Sequence, residues 1–237
     1  MRRSVEARGG RVVGLPGFAL RAPADAAAAR RALRKTRGAD IVVFTSPVAV
    51  RFAWCLLPAL RFARRTQVCA IGAGSARALR RHGMSEPIVP DARNDSEGLL
   101  DLGQLRRVRG LHVAVIGAPG GRDLLLRQLR RRGARVEHVG VYRRLPPRLT
   151  GRHFSALERA QAPLIALFSS ADALTNLQAS LPPALFARLL ANECVCASAR
   201  VAEAAHALGF AHVHVAASAA PAAMLDAAGA ALARHRL

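Results

Sequence analysis

The chain has 237 residues, 51% hydrophobic and 4% aromatic, with a formal charge of +21, which fits a globular protein of two small domains or one large one and excludes a disordered chain. A field of that sign favours an anionic partner: nucleic acid, lipid headgroups or a polycarboxylate. GC-rich coding would leave the same mark, since Lys35 is the only lysine among abundant Arg and Ala.

The N-terminus, "MRRSVEARGGRVV", is basic but lacks the apolar core of a signal peptide. No stretch reaches the roughly 18 apolar residues of a membrane span, and the Ala-rich tail from Ala216 to Ala233 is broken by Ser218, Pro221 and Asp226. A soluble, cytoplasmic monomer with no membrane partner is expected. Short β-branched runs then alternate with Ala/Leu/Arg segments of helical period, the pattern of an α/β protein with parallel sheets. Strands are predicted at Arg11–Leu15, Ile41–Thr45, Val68–Ile71, Pro87–Val89, His112–Ile116, Arg135–Val141, Leu164–Phe168, Cys194–Ala197 and His212–Ala216. Between them, Gly121 to Arg132 places Leu124, Leu125 and Leu129 on one side and Arg on the other before Gly133, the pattern of a surface helix on a sheet.

Four cysteines, Cys55, Cys69, Cys194 and Cys196, show neither a disulfide framework nor paired C-x-x-C zinc spacing, so buried thiols are expected. Cys194 and Cys196 flank Val195 and share one strand face. The histidines include no zinc-type pair at helical spacing; His212 and His214 alternate on a strand and are expected to pack or face solvent. No metal, hydrolase triad or paired carboxylates can be assigned.

One stretch returns. "IVVFTSPVAV" from Ile41 matches "LIALFSSADAL" from Leu164, with Ser46 and Ser170 separated by 124 positions, and the same offset maps Arg11–Phe18 onto Arg135–Tyr142. "VCAIGAGSARAL" at Val68 matches "VCASARVAEAA" at Val195 with three further residues of shift. We therefore expect two similar α/β lobes, residues 19–140 contiguous and residues 1–15 plus 146–237 assembled from both chain ends, with linkers near 16–18 and 141–145. Double linkers permit hinge closure on a ligand.

Ligands of parallel α/β sheets bind at the carboxyl ends of strands, where helix N-termini offer unpaired N–H groups. The candidate loops are Thr45 and Ser46; Gly72 to Ser75, including Gly74; Gly117 to Arg122, including Gly120 and Gly121; Ser169 and Ser170; and Ser198. Small and hydroxyl residues there allow close approach and donate to anions, though Ser and Thr are also ordinary helix caps. Five such loops facing one cleft form the expected binding site. Gly72 and Gly74 lack the third glycine of a dinucleotide fingerprint, and "GAPGGR" lacks the Lys-Ser/Thr of a P-loop, so neither nicotinamide nor ATP is supported.

With those loops in place, "VVFTSPVAV", "CAIGAGSARALRRHG", "GAPGGRDLLLRQLRRRGARVEHVGVYRR" and "LFSSADALTNL" resemble, in order, the uroporphyrinogen-III synthase family. The resemblance implies two α/β domains joined by two linkers, no metal or organic cofactor, and a linear hydroxymethylbilane held in the cleft. That substrate carries eight carboxylates, suited to Arg and N–H donors. It also implies a cyclising lyase of tetrapyrrole and haem biosynthesis: hydroxyl loss gives an azafulvene, a spiro intermediate forms at ring D, and reclosure inverts that ring. Tyr142 matches the family's linker tyrosine, a candidate proton donor. Thr45, Ser46, Ser75, Ser169 and Ser170 fall on its hydroxyl loops and Arg122 on its Gly-Gly-Arg turn. Ser198 replaces a Gly-Pro-Thr-type turn there.

Two alternatives are a catalytically silent scaffold of this family and a basic nucleic-acid-binding protein; scattered Arg, few aromatics and no recognised motif argue against the second. The 124-residue register also aligns Met1 with Leu125, so the counterpart of "HVAVIGAPGG" is missing. The lobes are expected to have five and four strands. The natural start is accordingly expected upstream of Met1 by about 10–20 residues, one strand and loop.

Overall fold

The computed structural model describes residues 1–91, 93, 95–120 and 123–234. In chain order the elements are α1 (Arg2–Glu6), β1 (Ala19–Arg21), α2 (Ala26–Lys35), β2 (Ile41–Phe44), α3 (Pro47–Leu56), β3 (Gln67–Ala70), α4 (Ala73–Arg80), α5 (Ser96–Asp101), α6 (Gly103–Arg106), β4 (His112–Gly117), α7 (Asp123–Arg131), β5 (Arg135–Gly140) and β6 (Arg143–Leu145). Then follow α8 (Gly151–Glu158), β7 (Ile165–Phe168), α9 (Ala171–Ser180), α10 (Pro183–Leu190), β8 (Glu193–Cys196), α11 (Ala199–Ala207), β9 (Val213–Val215) and α12 (Pro221–Arg234). The chain divides into a contiguous unit, Leu20–Arg144, and a split unit, Met1–Ala19 with Leu145–Leu237. Where it passes from one to the other, β1 and β6 pair as a two-stranded ribbon.

The contiguous unit is built on a parallel sheet of order β3-β2-β4-β5. Its strands read as unbroken apolar runs because both faces are covered. Val42, Phe44, Val68, Ala70, Ala114 and Ile116 face the helices α2, α3 and α4. Ile41, Val43, Cys69, Val113 and Val115 face α5, α6 and α7. The expected α7 stripe holds for Leu125 and Leu129, which are buried, but Leu126 joins them while Leu124 is only half-buried at the edge of that core; Arg127, Arg130 and Arg131 are exposed. Truncating such a buried leucine costs about 2–5 kcal/mol. Helix starts are specified locally: Asp25 accepts from Ala28 N–H at 2.8 Å, and Ser46 accepts from Ala49 N–H at 3.0 Å ahead of Pro47.

The split unit carries a three-stranded parallel sheet, β7-β8-β9. Phe168, Cys194 and Cys196 point with Phe210 into the core beneath α8 to α11, and Val195 points towards Met224 and Ala228 of α12. The two cysteines share a face as expected, with Sγ atoms 3.6 Å apart.

Three expectations are corrected. Arg11–Leu15 is irregular rather than a strand. Its counterpart β5 is held in the contiguous unit by β4, and among the described residues of the split unit no strand lies beyond β7. The β-branched run therefore has no ladder to join, and Val13 and Leu15 pack against the Phe168 core instead. Pro87–Val89 is reduced to a single bridge, Cys69 to Ile88, so the sheets have four and three strands rather than five and four. Third, the "VCA" match is out of step. Pairing of Val42 with Val68 and of Ala166 with Cys194 equates Val68 with Cys194, a shift of two residues rather than three. One residue of slip puts every side chain on the opposite face, and Val68 indeed shares its core with Val42 whereas Val195 lies on the α12 side.

Candidate functional site

In the contiguous unit, parallel strands bring four loops to one end of the sheet. Thr45 and Ser46 follow β2, Gly72 to Ser75 follow β3, Ala118 to Gly120 follow Gly117 at the end of β4, and Tyr142 follows β5. Thr45 is buried, and its hydroxyl donates to the Ile116 carbonyl at 3.2 Å. That bond engages its only proton. Ser46 caps α3, and its Oγ lies 3.4 Å from the Tyr142 hydroxyl. The Tyr142 ring stacks on Phe52 with centroids 5.5 Å apart, and the Arg51 guanidinium lies 5.3 Å from the Phe52 centroid. Tyr142 belongs to the buried core, 2% exposed, rather than to a free linker, and Val141 is buried beside it.

Gly74 packs where a β-carbon would meet Pro47 Cγ at 3.3 Å, drawing the N-termini of α4 and α3 together. Ser75 is 1% exposed, and its Oγ has no hydrogen-bond partner among the described residues. A buried hydroxyl left unpaired is unfavourable, which sets Ser75 apart from the hydroxyl of Thr45. Gly120 is exposed with φ of +72°, a left-handed turn that glycine accommodates. Gly121 and Arg122 lie outside the described residues.

In the split unit, Ser169 and Ser170 follow β7 and Ser198 follows β8, again at carboxyl ends. Ser169 and Ser198 are exposed and Ser170 is half-buried. Ser170 and Ser198 stand at the cap positions of α9 and α11, yet neither side chain makes the cap bond. The expected hydroxyls therefore form two sets, one in each unit.

Histidine–carboxylate pairs escaped the sequence reading. His214 was expected to pack or face solvent; its Nε2 instead pairs with the buried Glu193 carboxylate across β8 and β9. His112 Nε2 lies 3.3 Å from Glu137 across β4 and β5. A charge opposite a histidine on the next strand in sequence is the only signal, and it needs the register to be read. Both pairs include the first residue of a strand, His112 or Glu193, at the end remote from the hydroxyl loops. Burial lowers the pKa of His138, which favours its neutral form. Burial pushes the Cys69 thiol up to about 12, and the Cys196 hydrogen bond together with burial pushes Cys194 up, so these thiols are protonated and unreactive. Among the described residues no cluster of three or more His, Cys, Asp or Glu side chains could hold a metal. No described helix is long and apolar enough to cross a membrane.

The fold is that of a two-domain α/β protein with parallel sheets. Residues 1–226 match the family model described as "Uroporphyrinogen-III synthase HemD", and the chain belongs to the uroporphyrinogen-III synthase family. A Methanothermobacter thermautotrophicus protein named "Putative uroporphyrinogen-III synthase" is 33% identical over 149 residues, covering 62% of this chain and 58% of that protein. A crystal structure of a mutant uroporphyrinogen III synthase from Thermus thermophilus has a TM-score of 0.61 at 24% identity, covering 98% of this chain and 94% of its own. One from Helicobacter pylori has a TM-score of 0.55 at 17% identity, covering 81% and 83%. At those identities the structural likeness establishes the fold.

Proposed function

We propose that the protein is a uroporphyrinogen-III synthase: a cyclising lyase that closes linear hydroxymethylbilane with inversion of ring D and loss of water. Family membership supports the class of reaction. The observation that carries the reading to this chain is the meeting of Tyr142 with Ser46 at the carboxyl end of β2, with the unpaired Ser75 on the loop after the neighbouring strand β3. Tyr142 gives its phenolic proton to the departing hydroxyl; the C–O electrons leave with that oxygen as water, and the positive charge stays on the pyrrole and its methylene. At 2% exposure the phenol is out of a ligand's reach, so substrate binding has to displace what covers it.

Unaided closure gives the uninverted isomer, and the protein's task is to hold one conformation, which is catalysis by positioning and electrostatics. Ser75, the N-termini of α3 and α4, Gly74, Gly120, Gly121 and Arg122 supply donors for substrate carboxylates, with Ser169, Ser170 and Ser198 serving the same role in the split unit. No metal or organic cofactor enters this scheme. The test is isomer analysis: freshly made hydroxymethylbilane is supplied and the oxidised porphyrins are separated. Type III product above the spontaneous background is expected, and type I alone at saturating protein would leave a catalytically silent scaffold.

A further inference from the structure

Ser46 does two things with one hydroxyl. Its oxygen accepts the Ala49 N–H at 3.0 Å, which caps α3 and occupies one lone pair. A serine hydroxyl has one proton to donate besides its acceptor sites, and the Tyr142 oxygen stands 3.4 Å away. We propose that Ser46 is the positioning residue of Tyr142, aiming its O–H at the phenol oxygen so that the phenol proton is left free to be given away. This rests on the reading of Tyr142 as the proton donor.

The polarity follows from proton accounting. Were Tyr142 to donate to Ser46, its proton would be spent on a neighbour and unavailable to a departing hydroxyl. With Ser46 as donor, the phenol oxygen already has a hydrogen-bond donor when its own proton leaves, and the phenolate forms beside the positive end of the ten-residue α3. The 3.4 Å separation is long for an O–H···O bond. Hydrogen bonds of catalytic groups commonly shorten only in the reacting complex, and a bond to an oxyanion is shorter than one to a neutral oxygen. Phe52 stacks on the ring from the side, and Pro47 at the first turn sets the serine's backbone. The hydroxyl pair therefore meets through fixed elements rather than mobile chains.

Tyr142 is the only tyrosine in the chain, so a tyrosine labelled with 13C at Cζ gives one NMR resonance that reports the phenol directly. Ser46→Ala should move that line and Ser46→Thr should leave it near its place. With hydroxymethylbilane, Ser46→Ala should lower kcat by about 10- to 100-fold, the value of a hydrogen bond to a charged group, with little change in KM. Ser46→Thr should restore the rate. In a Tyr142→Phe background, Ser46→Ala should cost little more, because the two act as one unit.

Ser46→Asp separates the two jobs. Aspartate caps α3 as well as serine, but it puts an acceptor and a negative charge beside the forming phenolate, so Tm should hold while kcat falls at least as far as in Ser46→Ala. A Ser46→Asp protein as fast as the wild type, or a 13C line unmoved in Ser46→Ala, means that Ser46 is only a cap and overturns the proposal. A Tyr142→Phe protein with full turnover sinks the proton-donor reading and this proposal together. A slow Tyr142→Phe protein with a fast Ser46→Asp protein sinks the proposal alone.

Discussion

A β-carbon placed on Gly117 would stand 2.3 Å from the Thr45 hydroxyl, which itself donates to the carbonyl of Ile116. The two strands β2 and β4 thus close over their carboxyl ends through a residue without a side chain. Gly117→Ala must rotate Thr45 out of its bond or spread the strands, and overpacking of this kind destabilises by about 1–3 kcal/mol. Urea denaturation checks this, with a lower midpoint expected. An unchanged midpoint would mean that Thr45 turns aside freely.

Ser75 offers the opposite sign. Its buried hydroxyl has no partner among the described residues, and removing an unsatisfied polar atom relieves a desolvation penalty. Ser75→Ala should therefore be as stable as the wild type, or more stable by up to about 1 kcal/mol. If that hydroxyl serves substrate, formation of the type III isomer should fall a few-fold in the same variant. A loss of stability with full activity would show that Ser75 is paired in solution and is no ligand group.

Tyr142→Phe keeps the ring that stacks on Phe52 and removes only the oxygen near Ser46. Melting temperature and KM should stay close to the wild type while kcat falls by about 100-fold or more, the range for losing a general acid. Steady-state kinetics with isomer analysis separate these parameters. A fall in Tm with unaltered kcat would make Tyr142 a packing residue of the core.

Acid should weaken the contiguous unit through His138. Burial lowers its folded pKa, with Arg130 lowering it further while Asp123 and a backbone hydrogen bond involving Ala118 oppose them. The unfolded chain, titrating near the ordinary 6.5, then binds the proton more readily than the folded one. Stability is present in full above that value and is lost as pH falls from it towards the folded pKa. Thermal melts between about pH 5 and 7 should show a decline that His138→Gln flattens. Parallel curves for the two proteins would assign the acid sensitivity elsewhere.

Much was legible in the linear chain because it depends on neighbours in sequence. Apolar runs such as Ile41–Phe44 and His112–Gly117 became strands, and Leu125 and Leu129 of the expected stripe became part of the buried face of α7, with Leu126 in place of Leu124. Ser46 and Ser170 fell at equivalent turns after β2 and β7, as their 124-residue separation implied. Local pattern determines these features, since burial on one or both faces is written into the period of the hydrophobic residues.

What required the tertiary structure was every decision made between distant residues. The run Arg11–Leu15 has the composition of a strand, but a strand exists only where another offers its backbone, and none beyond β7 is present among the described residues. The "VCA" identity at Val68 and Val195 was real in letters and wrong in space, because pairing register rather than residue identity assigns a face. His214 found Glu193, and Thr45 spent its proton on Ile116, through contacts 21 and 71 residues apart. The sequence by itself determined that hydroxyls would gather at the strand ends; which of them is consumed by the fold, which is left unpaired and which leans on Tyr142 was decided by packing, because a hydroxyl's role depends on the nearest partner in three dimensions.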